Sequence, residues 1–190
     1  MNEAQVKQLF VETGAILEGH FLLTSGLHSP LYVEKFQVLQ HPQHTAALCK
    51  ALAERFANDQ VELVIGPITG GILLAHEVGK NLGTRAIFTE RENGRMTLRR
   101  GFVIKPGERV LVVEDIITTG GSVEEVLAVV REHGGIPVGV GILVDRSGGT
   151  VDFGIPHQSL LQLTVETYQA DVCPLCAQGQ PITKRGSRKL

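Results

Sequence analysis

Three cysteines are all that 190 residues contain, and so small and odd a set does not build a disulfide framework; reduced thiols in a cytoplasmic setting are the expectation. No apolar run approaches the ~18 residues that cross a bilayer, so no membrane association is expected. Met1-Asn-Glu-Ala-Gln-Val-Lys7 lacks the apolar core of a secretory leader. Neither sign of charge prevails: 18 Lys and Arg stand against 20 Asp and Glu, a formal net charge of −2, which offers nucleic acid no basic face. Repeats, low-complexity tracts and dividing linkers are missing too, so residues 1–190 read as a single domain. With 43% hydrophobic and 20% charged residues, the chain is globular and long enough to bury a core.

Two common nucleotide-binding loops are also absent. No G-x-x-x-x-G-K-[ST] pattern occurs, and no lysine follows Gly120-Gly121. Gly139-Val-Gly141 has no third glycine and runs into strand-like Ile142-Leu-Val144 rather than into a helix. What stands in their place is Val110-Leu-Val-Val-Glu-Asp-Ile-Ile-Thr-Thr-Gly-Gly-Ser122. Val110 to Val113 read as a buried strand, and Glu114 and Asp115 sit where it should end. Ile116 and Ile117 lead into a small-residue loop, and Ser122-Val-Glu-Glu125 has the spacing of a capping box that starts a helix. Open α/β sheets bind ligands at this carboxyl edge. Thr118, Thr119, Gly120, Gly121 and Ser122 can wrap a phosphate with N–H and O–H donors, aided by the helix dipole. Glu114 and Asp115 repel that phosphate but suit the vicinal hydroxyls of a ribose. Local chemistry therefore reads as a ribose-5-phosphate clamp; the plainer alternative is a β-turn-α connection with a capping serine.

Elsewhere, Val6, Leu9, Phe10 and Ile16 at helical spacing predict a helix over 2–17. Phe21 to Val33 reads as two short strands around a Ser25-Gly26 turn, and Pro42 can open a helix carrying Leu48, Leu52 and Phe56 on one face. A βα rhythm follows: strand Val61–Ile65, helix Ile72–Leu82, strand Arg85–Thr89, a polar stretch 90–101, a short strand Phe102–Ile104, helix 122–133 and strand Val138–Asp145. This alternation predicts an open parallel sheet with helices on both faces, and a small N-terminal hood from about residues 1–40.

Three further segments carry polar chemistry. Gly66-Pro-Ile-Thr-Gly-Gly71 is a second glycine-rich β-to-α loop, so Thr69, Gly70 and Gly71 can face a second phosphate group; a tight turn that needs glycine is the simpler reading. Arg146, at the end of the strand after the phosphate-loop helix, should reach the same pocket and grip a carboxylate with two charge-assisted bonds, unless it pairs with Asp145 or Asp152. Cys173-x-x-Cys176 is half of a zinc ribbon; with His157 nearest and wrongly spaced, reduced thiols are favoured over metal, and the histidines at 20, 28, 41, 44, 76 and 133 read as surface or lining residues.

The Glu114–Ser122 segment resembles the phosphoribosyl pyrophosphate (PRPP) motif of the purine and pyrimidine phosphoribosyltransferases. Phe21-Leu-Leu-Thr-Ser-Gly-x-x-Ser-Pro-x-Tyr32 and Arg146 after Val-Asp resemble the orotate phosphoribosyltransferase family. The stretch Phe88–Gly101 and the tail from Cys173 to Arg188 look like a shorter branch of it. The resemblance implies Mg²⁺-dependent transfer of ribose 5-phosphate from PRPP to orotate, a homodimer, and a mobile loop bearing Arg91 and Arg95. It implies that Glu114 to Ser122 bind PRPP, that Thr118, Arg146, Ser25 and Gly26 bind orotate, and that Thr69 to Gly71 face pyrophosphate. Mg²⁺ then sits on PRPP near Glu114 and Asp115 with no direct protein ligand assigned, and the C-terminal tail joins the hood. The better-known branch has lysines where this chain has Thr24 and Gly70, and Arg-Lys, Lys and His-Gly in its mobile loop where this chain has Arg91-Glu92, Arg95 and Thr97. Charge on the leaving group then falls to Arg91, Arg95, Arg99 and Arg100, and no general acid is assigned. Purine-base salvage and a non-catalytic PRPP-sensing regulator stay open as alternatives.

Overall fold

Apolar runs and turn residues place most elements, beginning at Asn2. The computed structural model describes residues 1–23 and 25–185; Thr24 and the tail's Gly186, Ser187 and Arg188 lie outside them. Asn2 and Gln5 form a reciprocal capping box that starts helix α1 (Glu3–Glu12), which buries Val6 and Phe10. The expected run to residue 17 stops early because Gly14 turns left-handed at φ +66°. Ile16 therefore joins a strand, β1 (Ile16–Leu22), paired antiparallel with β2 (His28–Val33). The short helix α2 (Phe36–Leu39) leads to α3 (Pro42–Glu54), which Pro42 opens as expected.

Next come β3 (Leu63–Pro67), α4 (Gly70–Leu82), β4 (Arg85–Glu92), β5 (Arg95–Leu98), β6 (Arg109–Ile117), α5 (Gly121–Glu132), β7 (Ile136–Asp145) and β8 (His157–Gln162). They build a six-stranded sheet in the order β5-β4-β3-β6-β7-β8, parallel throughout except for the β4–β5 hairpin. Alternate residues of the central strands feed two cores. Val64, Leu111 and Val113 meet Phe10, Leu52 and Leu74 on one face. Leu63, Ile65, Val110 and Val112 meet Val126, Leu127 and Val130 of α5 on the other. Strands covered on both faces need near-continuous apolar sequence, which is why β3 and β6 read as they do. Each such leucine or valine, fully buried, stabilises the fold by about 1.5–3 kcal/mol.

A second sheet, β2-β1-β9, recruits the C-terminal strand β9 (Thr183–Lys184) alongside β1. The short helix α6 (Pro174–Ala177) precedes it. Helix α1 does not sit with this sheet: Val6 and Phe10 belong to the main core, and the Gln162 N–H donates to Glu3. Three local expectations change. The polar stretch 90–101 is largely the β4–β5 hairpin, residues 102–104 form no strand, and α4 begins at Gly70 rather than Ile72. Among the described residues no helix is long and apolar enough to cross a membrane.

Candidate active site

The carboxyl end of β6 delivers Glu114 and Asp115 almost wholly buried, 7% and 2% exposed. Glu114 accepts a hydrogen bond from the Asp115 N–H at 2.9 Å. Lys35, just before α2, donates from Nζ to Asp115 Oδ1 at 2.8 Å. The other oxygen, Oδ2, lies 2.7 Å from the same ammonium but accepts no well-directed hydrogen bond. Burial, then the charge of Asp115, pushes Glu114 up to about 8. Burial also raises Asp115, against the opposing pull of Lys35. Such a pair is well suited to accept hydrogen bonds from hydroxyl groups that bring their own protons. Lys35 escaped the sequence reading; its signal was a lone cation between the hood strand β2 and the core, opposite an uncompensated acid pair.

Glu114 and residues 116–123 line a cleft of about 220 Å³. Its helix does not start as the Ser122 spacing suggested. Gly120 is the N-cap, left-handed at φ +76°, and no side chain caps α5. The open N–H groups of the first turn are thus left for a ligand. A Cβ at Gly120 would meet Phe153 and Val151 at 2.9 Å, so only glycine lets the loop lie flat there. Thr118 and Thr119 are exposed to the cleft, and Ser122 is half-buried.

Thr69, Gly70 and Gly71 close the neighbouring β3–α4 loop, where the Ile68–Thr69 peptide is cis. Gly70 is pressed against the acid pair: a Cβ there would stand 1.7 Å from Asp115 Oδ2. No lysine fits at this position, and Lys35 reaches the same carboxylate instead. Thr89, within β4, is fully buried with a hydroxyl that has no partner among the described residues, and its carbonyl accepts the Ile68 N–H at 3.0 Å.

Beyond Thr118 and Thr119 a second cleft, about 440 Å³, opens under the hood. Leu23, Leu27, Tyr32 and Val165 give it apolar walls, and Ser25, Arg146 and Arg185 give it polar ones. Gly26 turns the chain beside Ser25 at φ +85°. Arg146 forms no ion pair with Asp145 or Asp152 among the described residues; Asp145 instead accepts the Ser147 N–H at 2.7 Å. Its Nε is buried without a partner among the described residues, and burial lowers its pKa. A guanidinium of this kind, walled by apolar groups, has the charge and donor geometry to receive a carboxylate. Thr118 and Thr119 line both clefts, which therefore adjoin each other at these two residues.

The hairpin arginines lie apart from these clefts. Arg91 pairs with Glu125 at 2.6 Å, Arg95 with Glu132 at 2.8 Å, Arg99 with Glu92 at 3.6 Å and Arg100 with Glu90 at 2.8 Å. Glu132 ends α5, about 16 Å along the helix from its first turn, so Arg95 is remote from the phosphate loop and Arg91 is nearer.

His20 and His28 are not the surface or lining residues that their spacing suggested. Both are buried, and their ring nitrogens lie beside Cys173 and Cys176, all four donor atoms within 4.8 Å of one another. Pairing of β1 with β2 and of β1 with the tail assembles them across 150-odd residues, which no local spacing could reveal. His157, the nearest in sequence, stacks edge-on against Phe153 instead.

The phosphoribosyl transferase domain profile matches residues 36–155. Orotate phosphoribosyltransferase of Desulforamulus reducens is 57% identical over 190 residues, 100% of each chain, and that of Pelotomaculum thermopropionicum is 55% identical over the same span. The crystal structure of orotate phosphoribosyltransferase from Aeropyrum pernix superposes with a TM-score of 0.70 at 27% identity, covering 83% of this chain and 93% of that one. An adenine phosphoribosyltransferase from Rhodothermus marinus shares the fold, with a TM-score of 0.64 at 23% identity over 84% of this chain and 99% of that one.

Proposed function

The chain belongs to the orotate phosphoribosyltransferase family, and we propose that it transfers ribose 5-phosphate from PRPP to orotate, giving orotidine 5′-monophosphate and pyrophosphate for pyrimidine synthesis. The observation that carries this reading is Arg146, half-buried and unpaired among the described residues, in a hood cleft that adjoins the phosphate loop at Thr118 and Thr119. Orotate has a carboxylate for that guanidinium, whereas a purine base has none.

In this reading Thr118 to Ser122 hold the 5-phosphate and Glu114 and Asp115 hold the ribose hydroxyls. Thr118, Arg146 and the Ser25-Gly26 turn hold orotate. The base nitrogen attacks C1′ directly, pyrophosphate departs, and no protein nucleophile is required. Catalysis is positioning plus electrostatic stabilisation of an oxocarbenium-like transition state. Lys35 opposes the burial that raises Asp115, and Thr69 to Gly71 turn backbone N–H groups toward the leaving group. Mg²⁺ fits the site: Glu114 lines the phosphate-loop cleft, Asp115 beside it is a second hard oxygen donor, and Asp115 Oδ2 lacks a well-directed donor. Glu114 and Asp115 would hold Mg²⁺ near PRPP, where it would supply positive charge against the departing pyrophosphate.

Arg91 and Arg95 serve the leaving group once the hairpin moves. Their present ion pairs are surface contacts worth about 0–1 kcal/mol each, so little holds them. The remoteness of Arg95 from its own phosphate loop favours a homodimer in which the hairpin reaches the neighbouring site. Residues 1–190 act as one phosphoribosyltransferase domain, with the β2-β1-β9 sheet as its hood. The deciding assay mixes protein, PRPP and Mg²⁺ with orotate, hypoxanthine, guanine, adenine or uracil in separate reactions. Loss of orotate absorbance alone is the expected result. Purine turnover would assign salvage instead, and PRPP binding without any turnover would assign a sensor.

A further inference from the structure

We propose that His20, His28, Cys173 and Cys176 form a structural zinc site that fastens the C-terminal segment to the hood hairpin. His20 lies on β1 and His28 opens β2, and their rings face each other with His20 Nε2 2.9 Å from His28 Nδ1. Cys173 precedes α6 and Cys176 lies within it. The two sulfurs stand 3.7 and 3.8 Å from His20 Nε2, and Cys176 Sγ stands 3.3 Å from His28 Nδ1. Zinc bonds of ~2.05 Å to nitrogen and ~2.3 Å to sulfur set tetrahedral edges of about 3.3 Å (N–N), 3.6 Å (N–S) and 3.8 Å (S–S). The nitrogen–sulfur separations bracket their edge, the nitrogen–nitrogen separation falls short of its own by about 0.4 Å, and all four donor atoms lie within 4.8 Å of one another, so small side-chain adjustments admit the ion.

A second, independent contact orients the site. His20 Nδ1 lies 2.8 Å from the Gln180 carbonyl oxygen, which only accepts. The proton therefore sits on Nδ1, and the Nε2 lone pair points at the cluster. This is the carbonyl-anchored imidazole usual behind a zinc-bound histidine. Two thiolates also neutralise the ion within a largely buried pocket. Four protein donors leave no open position, so the ion would be structural and not catalytic, and the sulfur-nitrogen set selects zinc over magnesium or calcium.

The cluster ties together the segments that wall the hood cleft. Leu23, Ser25 and Leu27 come from the hairpin, while Val165, Thr167 and Arg185 come from the tail. Backbone bonds between His28 and Tyr168, and the pairing of Phe21 with Thr183, run alongside it. Zinc would thus position the cleft wall without touching its contents. That consequence rests on the functional reading above, but metal binding itself does not.

The test is elemental analysis and native mass spectrometry of the purified full-length chain, beside Cys176→Ser, His20→Gln and a Cys49→Ala control. One zinc per chain is expected in the wild type and the control, with loss of most of it in the two ligand variants. Chelation of the wild type should lower its melting temperature, and added zinc should restore it. It should also raise the orotate KM severalfold while PRPP affinity changes no more than about twofold. A Cys173–Cys176 disulfide, a zinc-free wild type that takes up no zinc on reconstitution, or full zinc in both ligand variants would overturn the site. If zinc binds and no base is turned over, the metal site stands and the catalytic reading falls.

Discussion

Arg146 and Glu114 are the side chains whose environments say most about chemistry. Removing the Arg146 guanidinium should cost about 1.5–3 kcal/mol of orotate recognition, or roughly a 10- to 150-fold loss in kcat/KM for orotate. PRPP affinity measured by calorimetry on Arg146→Ala should stay near wild type; equal losses for both substrates would contradict a base-side role. Glu114 makes a pH prediction. Its native pKa is raised to about 8, above an unfolded value near ~4.3. Such a group contributes its full stability below the unfolded value and loses it as pH rises through the native one. Urea unfolding of wild type and Glu114→Gln between pH 5 and pH 8.5 should therefore show the variant gaining relative stability as pH rises, by as much as a few kcal/mol. A difference that does not change with pH would remove the case for a strained buried acid.

Two loops owe their function to missing side chains. Gly70 is packed so tightly on Asp115 that Gly70→Ala must displace either the carboxylate or the start of α4. We expect it to lose PRPP binding and about 1–3 kcal/mol of stability. Gly83→Ala is the informative control: φ is +69° but nothing lies within 4 Å, so it should cost about 1 kcal/mol in backbone strain and leave binding intact. Comparable PRPP affinity in the two variants would show that the β3–α4 loop does not shape the site. The same logic explains α5, where a left-handed Gly120 replaces a capping side chain and leaves the first-turn N–H groups open.

Assembly can be tested without a structure of the dimer. If the hairpin of one protomer serves the site of its partner, Arg91→Ala and Arg146→Ala damage different halves of a composite site. Unfolding and refolding an equimolar mixture should then restore about a quarter of wild-type activity, since half the dimers are mixed and each carries one intact site. Restoration absent from mixtures that do form mixed dimers would place Arg91 in its own protomer's site or outside the reaction.

Much of this was written into short stretches of sequence. The βα rhythm, the buried strand that carries Glu114-Asp115 (though it runs on to Ile117 rather than ending at the acids), the glycine loops and the position of Arg146 all depend on neighbours within a few residues, where apolar periodicity and turn chemistry act. The errors were of the same local kind: Gly14 ended α1 before Ile16, and the polar stretch 90–101 paired with itself as a hairpin. Lys35 on Asp115 and the His20-His28-Cys173-Cys176 cluster were beyond reach for a different reason. Each joins residues far apart in the chain through strand pairing and helix packing, and each partner looks ordinary where it stands in the sequence. Spacing along a chain reports contacts that one helix or one turn can make; contacts made by closing the sheet and folding the tail back onto the hood exist only after the whole chain has packed.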